Sequence, residues 1–380
     1  MSAAEHAYLP PSSAHIWVKC GAFADANQRN PHNLDVSSDA SEEGTAAHWA
    51  LAEVLHGRQV DVGLVAPNGC PLDAEMVESA EWAAGEVRKL CPDVQPLLIE
   101  RTLSAGKTLG PLVWGTPDVQ QRSVDLTVRI VDYKYGHGHV DHIDNWQMIA
   151  YATLVLDDMA ERAGMGRGGL DEAVAFELSI IQPRCYTAAP VRTWRVGGAE
   201  LRGYINKLRA AAERAVPGLT GDAVTGEHCR YCPGRLECQA FARAVGNALD
   251  VASAQIPNDL PVPAKAVQLT MLRRAGALIK AAEAGLETHL LALAQLGADV
   301  PGFAVKHSTG RQRWTLPDAD VVAVGSLLGL ELGKVTAITP AQAGKAGMPA
   351  EMIEQYTQRA AGAASLQPID LRHVAAIFKE

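Results

Sequence analysis

Long apolar runs are missing from this chain. No stretch of its 380 residues approaches the roughly 18 uninterrupted apolar residues of a membrane span, and residues 1–11 lack the basic segment and apolar run of a secretory signal. These absences argue against a membrane-spanning or exported protein and make the cytoplasm the expected compartment. A surplus of positive charge is missing too: 34 Lys and Arg stand against 43 Asp and Glu, for a formal net charge of -9. That argues against a protein that coats nucleic acid nonspecifically, because phosphate neutralisation needs a cationic face. A local basic groove on an acidic whole stays compatible with the count. An even cysteine set is missing as well. Seven cysteines in a reducing compartment do not make a disulfide framework, which leaves metal ligation or buried thiols. There is no internal repeat and no low-complexity tract.

What is there is an ordinary globular composition, 48% hydrophobic and 20% charged, on a chain long enough for two domains or one elaborated domain. Apolar residues at helical spacing predict helices over 42–57 and 71–90, the first closed by Gly57. Runs 95–102, 112–119 and 123–133 alternate or cluster β-branched residues as strands do. Helical spacing returns over 145–159, a strand pair follows at 173–182 and 191–196, and a helix spans 199–215. That order suits an α/β core with a mixed sheet. Residues 1–250 read as this domain and 251–263, rich in proline and polar residues, as a linker. Residues 264–380 read as a helical C-terminal domain, with a long helix over 264–296, a small hairpin around 308–310, and short helices over 317–328, 340–346 and 369–378. Lys306, Arg311, Arg313 and Trp314 could meet a DNA strand by charge and stacking; a hairpin whose Trp314 packs on the long helix is the plainer account.

The chemistry-bearing pattern begins at Gly115 to Asp118 and continues, after a strand-like run, at Asp132, Tyr133 and Lys134. Two carboxylates at the ends of adjacent strands can converge on one divalent cation, and hard oxygen ligands suit Mg²⁺ or Mn²⁺. Period-two alternation puts Asp132 and Lys134 on one face, so the ammonium can orient an attacking water or stabilise a phosphorane. A lone Asp-x-Lys is common and by itself marks only a strand end. The neighbours add weight: Gly44, Thr45 and His48 place an imidazole on the first helix, and Gln147 and Tyr151 share a helix face at i, i+4.

This ordered set resembles the RecB-like branch of the PD-(D/E)xK nucleases, which includes the CRISPR-adaptation iron–sulfur nucleases and, more distantly, phage lambda exonuclease. The resemblance spans about the first 240 residues. It implies a restriction-endonuclease-like α/β core, a mixed sheet flanked by helices, in a metal-dependent deoxyribonuclease, an exonuclease of phage or prophage DNA recombination, repair or processing. His48, Asp118 and Asp132 become metal ligands, with the Tyr133 carbonyl as a further one, Lys134 the catalytic lysine, and Gln147 and Tyr151 the substrate-side pair. DNA, single-stranded or with free ends, is the implied partner; a recombination or replication protein is a further one, and self-association is left open. Glu100 is read as structural, with a further acidic ligand as the alternative. His137, His139 and His142 fit no standard closed zinc site, and Gly136 and Gly138 suggest a mobile loop at the mouth of the site.

Cys229, Cys232 and Cys238 form a compact thiolate cluster around a turn at Pro233 and Gly234. The fourth ligand must come from Cys20, Cys70, Cys91 or Cys185. The same family carries one cysteine before the His helix and three near the domain end, stapling its termini around a [4Fe–4S] cluster, which implies Cys20. A four-cysteine zinc site is the alternative, and Cys185 the rival ligand. Two other functions stay open: a catalytically silent protein that binds DNA or a recombination partner, and a zinc-stapled scaffold.

Overall fold

The structure is a computed structural model that describes residues 7–28, 39–104, 106–164, 166–185, 187–215, 222–314, 318–332, 340, 343 and 347–368. The chain divides into two compact units, Met1–Leu286 and Glu287–Glu380.

In the first unit, helices α1 (Ala14–Trp17), α2 (Phe23–Gln28), α3 (Asp39–Leu55) and α4 (Ala74–Leu90) precede strands β1 (Leu98–Ile99), β2 (Val119–Arg122) and β3 (Thr127–Tyr133). Helices α5 (Trp146–Arg162) and α6 (Gly168–Ala173), strands β4 (Ala175–Ile181) and β5 (Val191–Gly197), and helix α7 (Gly198–Arg214) follow. The five strands form one sheet in sequence order, antiparallel except for the parallel β3–β4 pair. A parallel pair needs a long crossover, and α5 and α6 supply it. The period-two alternation of β3 divides the core. Val128 and Ile130 join Phe176, Leu178 and the buried face of α5 on one side, while Val131 and Tyr133 meet α3 and α4 on the other. There the facing residues are small, Ala46, Ala47 and Ala50 against Ala80, Ala83 and Ala84, which lets the two helix axes approach closely. The result is a mixed sheet between helical layers.

Two strand expectations shift. The run 112–119 is a strand only from Val119; Pro111 and Pro117 offer no ladder N–H, and this stretch is tied instead by the Leu103–Gly115 bridge and by the Leu9 N–H donating to Leu112 O. The run 95–102 pairs only at Leu98 and Ile99. A helix not foreseen, α8 (Gln239–Ser253), leads toward the loop before α9 (Val262–Gln295).

In the second unit β6 (Phe303–Trp314), α10 (Asp318–Leu327), α11 (Ala350–Gln355) and β7 (Thr357–Pro368) surround a small core of Val321, Leu332, Ala343, Met348 and Ile353. The expected hairpin around 308–310 is replaced by a continuous strand: β6 runs through these residues and pairs antiparallel with β7. The register shifts between His307 and Thr309 and again before Gln312, so the glycine signal at Gly310 marks a bulge rather than a reversal. The side chain of Trp314, most of 340–346 and all of 369–378 lie outside what is described. Among the described residues no helix is long and apolar enough to cross a membrane.

Candidate active site

The β2–β3 register pairs Val119 with Val131. One residue further, Asp118 and Asp132 stand opposite each other, and directly opposed residues of an antiparallel pair share a face. Asp132 faces α5, where Gln147 Nε2 meets it, whereas Asp118 turns its carboxylate to His48 of α3. Gly115 lets this turn close: a Cβ there would lie 2.8 Å from Pro11 Cγ and 3.2 Å from Tyr151 Cε1.

Two linked groups form around the carboxylates. His48 Nδ1 lies 3.0 Å from Asp118 Oδ1, and the Tyr133 N–H donates to Asp118 Oδ2 at 2.6 Å. The His48 ring meets the buried Tyr133 ring edge-on at 5.3 Å, so α3 carries the imidazole over the end of β3. Lys134 Nζ lies 2.9 Å from Asp132 Oδ2 and 3.1 Å from Gln147 Oε1, and Gln147 Nε2 donates to Asp132 Oδ1 at 2.9 Å. Tyr151 completes the row: its hydroxyl donates to Thr116 O at 3.1 Å and lies 3.4 Å from Gln147 Nε2. Asn145 caps α5 by accepting from the Gln147 and Met148 N–H groups, which fixes where Gln147 points.

Burial works against every charge here, and the neighbours decide the outcome. For Asp118, burial raises the carboxyl, but the His48 and Lys134 cations and the Tyr133 N–H bring it below the ordinary carboxylate range. Asp132 goes the other way: burial and the Asp118 charge outweigh Lys134 and hold it above that range. The Lys134 ammonium is penalised by burial yet held above its ordinary value by Asp132 and Asp118. It therefore stays protonated at neutral pH and can act as a fixed cation, not as a base.

The donor set, two carboxylates and an imidazole, suits a hard divalent cation. Asp132 Oδ2 is buried without a hydrogen-bond donor aligned on it, although the Lys134 ammonium lies within ion-pair distance, so it retains a lone pair for a ligand. Among the described residues no three His, Cys, Asp or Glu side chains surround one point at single-ion distances; Asp118 is turned to His48, and Asp132 to Lys134 and Gln147. Glu100 sits beside the site. Its N–H donates to Asp118 O, it adopts φ +43, and burial followed by the Asp118 charge raises its carboxyl. Thr116, Thr102 and Asn145 carry no sequence signal of this role; the Thr102 and Thr116 hydroxyls meet at 2.9 Å.

Cys20, Cys229, Cys232 and Cys238 line one cavity, together with His228 and Phe241. Gly234 permits this: a Cβ there would lie 2.5 Å from Ala26 Cβ, so the cysteine loop presses on the helix that follows Cys20. Burial pushes the Cys232 thiol up to about 11, with the other three sulfurs adding to the effect. Burial raises the Cys229 thiol as well, and buried thiols that resist ionisation gain most from a metal that binds the thiolate. The sulfurs do not converge on a single-ion point; ligands of a polynuclear cluster bind different irons and stand farther apart. Cys91 and Cys185 lie outside this cavity.

The 136–142 loop, expected to be mobile, is tied down. Fully buried Gln182 donates to Gly136 O at 2.8 Å and Gly138 O at 2.6 Å, and accepts from Val140 N at 3.3 Å and Arg192 Nη2 at 2.7 Å. Gln182→Leu keeps the volume and leaves these groups unpaired, so it should cost about 2–4 kcal/mol of stability. Urea unfolding measures this; a change within about 0.5 kcal/mol, typical of a neutral surface site, would show that the loop does not depend on Gln182.

A family model described as "Protein of unknown function (DUF2800)" matches residues 6–370. Among solved structures, one described as a "Putative exonuclease" from Eubacterium rectale is similar at 11% identity over 55% of this chain and 82% of that chain, with a TM-score of 0.34.

Proposed function

The chain belongs to the DUF2800 family, whose description assigns no activity, and from the geometry of its site we propose that it is a Mg²⁺- or Mn²⁺-dependent DNA nuclease of the PD-(D/E)xK type, an exonuclease that acts on single strands or free ends. The observation that carries this reading is the opposition of Asp118 and Asp132 across two strand ends, with Lys134 Nζ 2.9 Å from the Asp132 carboxylate. Asp118, Asp132 and His48 would hold the cation, with the Tyr133 carbonyl as a further ligand; when bound, the ion supplies Lewis-acid activation of water and neutralises the scissile phosphate. Lys134 presents a permanent positive charge to the reacting phosphate. Gln147 holds Lys134 and Asp132 at fixed distance, and Tyr151 anchors Gln147 to the Asp118 turn. The chemistry of the four-cysteine cavity supports a [4Fe–4S] cluster on Cys20, Cys229, Cys232 and Cys238 that ties the N-terminal segment to the end of the domain. Hydrolysis needs no electron transfer, so its role in this reading is structural. A place in phage or prophage DNA processing rests on the sequence resemblance alone.

Lys134→Ala tests the division of labour. It should lower turnover by roughly 10²-fold while Mn²⁺ affinity, measured by electron paramagnetic resonance titration, falls far less, because the lysine acts on phosphate and water and not on the cation. Equal losses in turnover and affinity would make Lys134 part of the ion's cradle instead.

A further inference from the structure

A second cluster of nucleophilic and titratable side chains lies outside the carboxylate site, where the end of β4 meets the 136–142 loop. Cys185 Sγ lies 3.7 Å from His139 Nδ1 and 3.5 Å from Thr187 Oγ1, and His139 Nε2 lies 3.1 Å from Asp141 Oδ1. With one ring nitrogen held by Asp141, the other faces the Cys185 sulfur, where a protonated ring holds the thiolate. A nucleophile on a base that is oriented by a third group is the arrangement that activates thiols. Cys185 is 4% exposed, but the His139 side chain beside it is 39% exposed, so a surface contact, not core packing, guards the sulfur. The other charged groups around the pair are Asp141 and His142 on the same loop and Arg192 on β5.

We propose that Cys185, with His139 and Asp141, is a reactive-thiol site that forms mixed disulfides with low-molecular-weight disulfides. The His139 imidazolium, held above its ordinary value by Cys185 and Asp141, donates Nδ1–H to the sulfur and holds it as thiolate, and the thiol proton passes to solvent. The Cys185 thiolate attacks one sulfur of R–S–S–R, the S–S bond breaks, Cys185–S–S–R forms, and the other half leaves as RS⁻, which takes a proton from solvent. No net oxidant is needed, because the disulfide reagent is reduced as the thiol is oxidised.

The energetics fit the geometry. Hydrogen bonds from Thr187 and His139 bring the Cys185 thiol down to about 6, whereas burial pushes Cys91 up to about 11. At pH 6 about half of Cys185 would be thiolate, against roughly 0.3% for an ordinary thiol at 8.5. Lower intrinsic nucleophilicity returns about tenfold of that, which leaves a net rate advantage of roughly tenfold at pH 6. At pH 7 and above the advantage nearly vanishes, so the acid limb is the one that discriminates.

The test is reaction of the full-length protein with dithiodipyridine across pH 5 to 9, with the modified cysteine located by peptide mass spectrometry. Cys185 should react about tenfold faster than Cys70 at pH 6, with a rate midpoint near 6. His139→Ala should move that midpoint above about 7 and cut the pH 6 rate several-fold, while circular dichroism stays unchanged. Equal rates at Cys185 and Cys70, a profile indifferent to His139→Ala, or a Cys185 that reacts only after unfolding would each overturn the proposal. None of these outcomes bears on DNA cleavage, so the two readings fail separately.

Discussion

Asp118→Asn and Asp132→Asn should each lower DNA cleavage by at least roughly 10²–10³-fold in a protein that remains folded, the scale seen when a single transition-state electrostatic partner is removed. Asparagine keeps the shape and an acceptor oxygen. In Asp118→Asn the Tyr133 N–H and His48 still find partners; in Asp132→Asn the Lys134 ammonium and the Gln147 amide do. What each loses is the negative charge and the ligand strength that hold a divalent cation. Cleavage assays together with thermal melts separate the effects: lost cleavage with a nearly unchanged melt supports the site. Wild-type rates in either variant would remove that residue from it.

Cys20→Ala should have the largest effect on stability. If Cys20 shares one cluster with Cys229, Cys232 and Cys238, the cluster closes a loop of roughly 200 residues, for which the chain-entropy relation for cross-links gives about 5 kcal/mol. Melting should fall on the order of 10 °C for a domain of this size, and protein purified without oxygen should lose the broad visible absorption of thiolate-ligated iron. Cys70→Ala and Cys91→Ala should leave the colour unchanged. Colourless wild-type protein with stoichiometric zinc would replace the cluster by a zinc staple, and colour that survives Cys20→Ala but not Cys185→Ala would move the fourth ligand.

The parts of the site that sequence reveals are those set by short-range periodicity. Asp132 and Lys134 share a face because a strand alternates, and Gln147 and Tyr151 share one because a helix repeats at four. Both rules act within a few residues, and the 2.9 Å and 3.4 Å contacts follow them. His48 joins Asp118 across 70 residues; the resemblance assigned both to one metal, and no local pattern foretells their direct contact. The parallel crossover from β3 to β4 and the pairing of β6 with β7 depend on chain routing that no local pattern encodes, so the turn signal at Gly310 was open to misreading. Prolines decided the 112–119 run: its residue types favour a strand while Pro111 and Pro117 deny it a ladder. Gln182 shows the limit from the other side. It is one amide at a strand end with no motif around it, yet burial makes it the tie for the loop that joins Lys134 to Gln147.

The central claim is metal-dependent phosphodiester hydrolysis, and one measurement meets it directly: end-labelled single- and double-stranded DNA incubated with anaerobically purified protein and Mg²⁺ or Mn²⁺. The site predicts metal-dependent shortening of at least one substrate, abolished by chelator and restored by the ion, with the product ladder giving polarity and strand preference. Intact, correctly folded protein that binds these DNAs but leaves them uncut with either ion would contradict it, and would make the chain a binding protein built on a nuclease-like site.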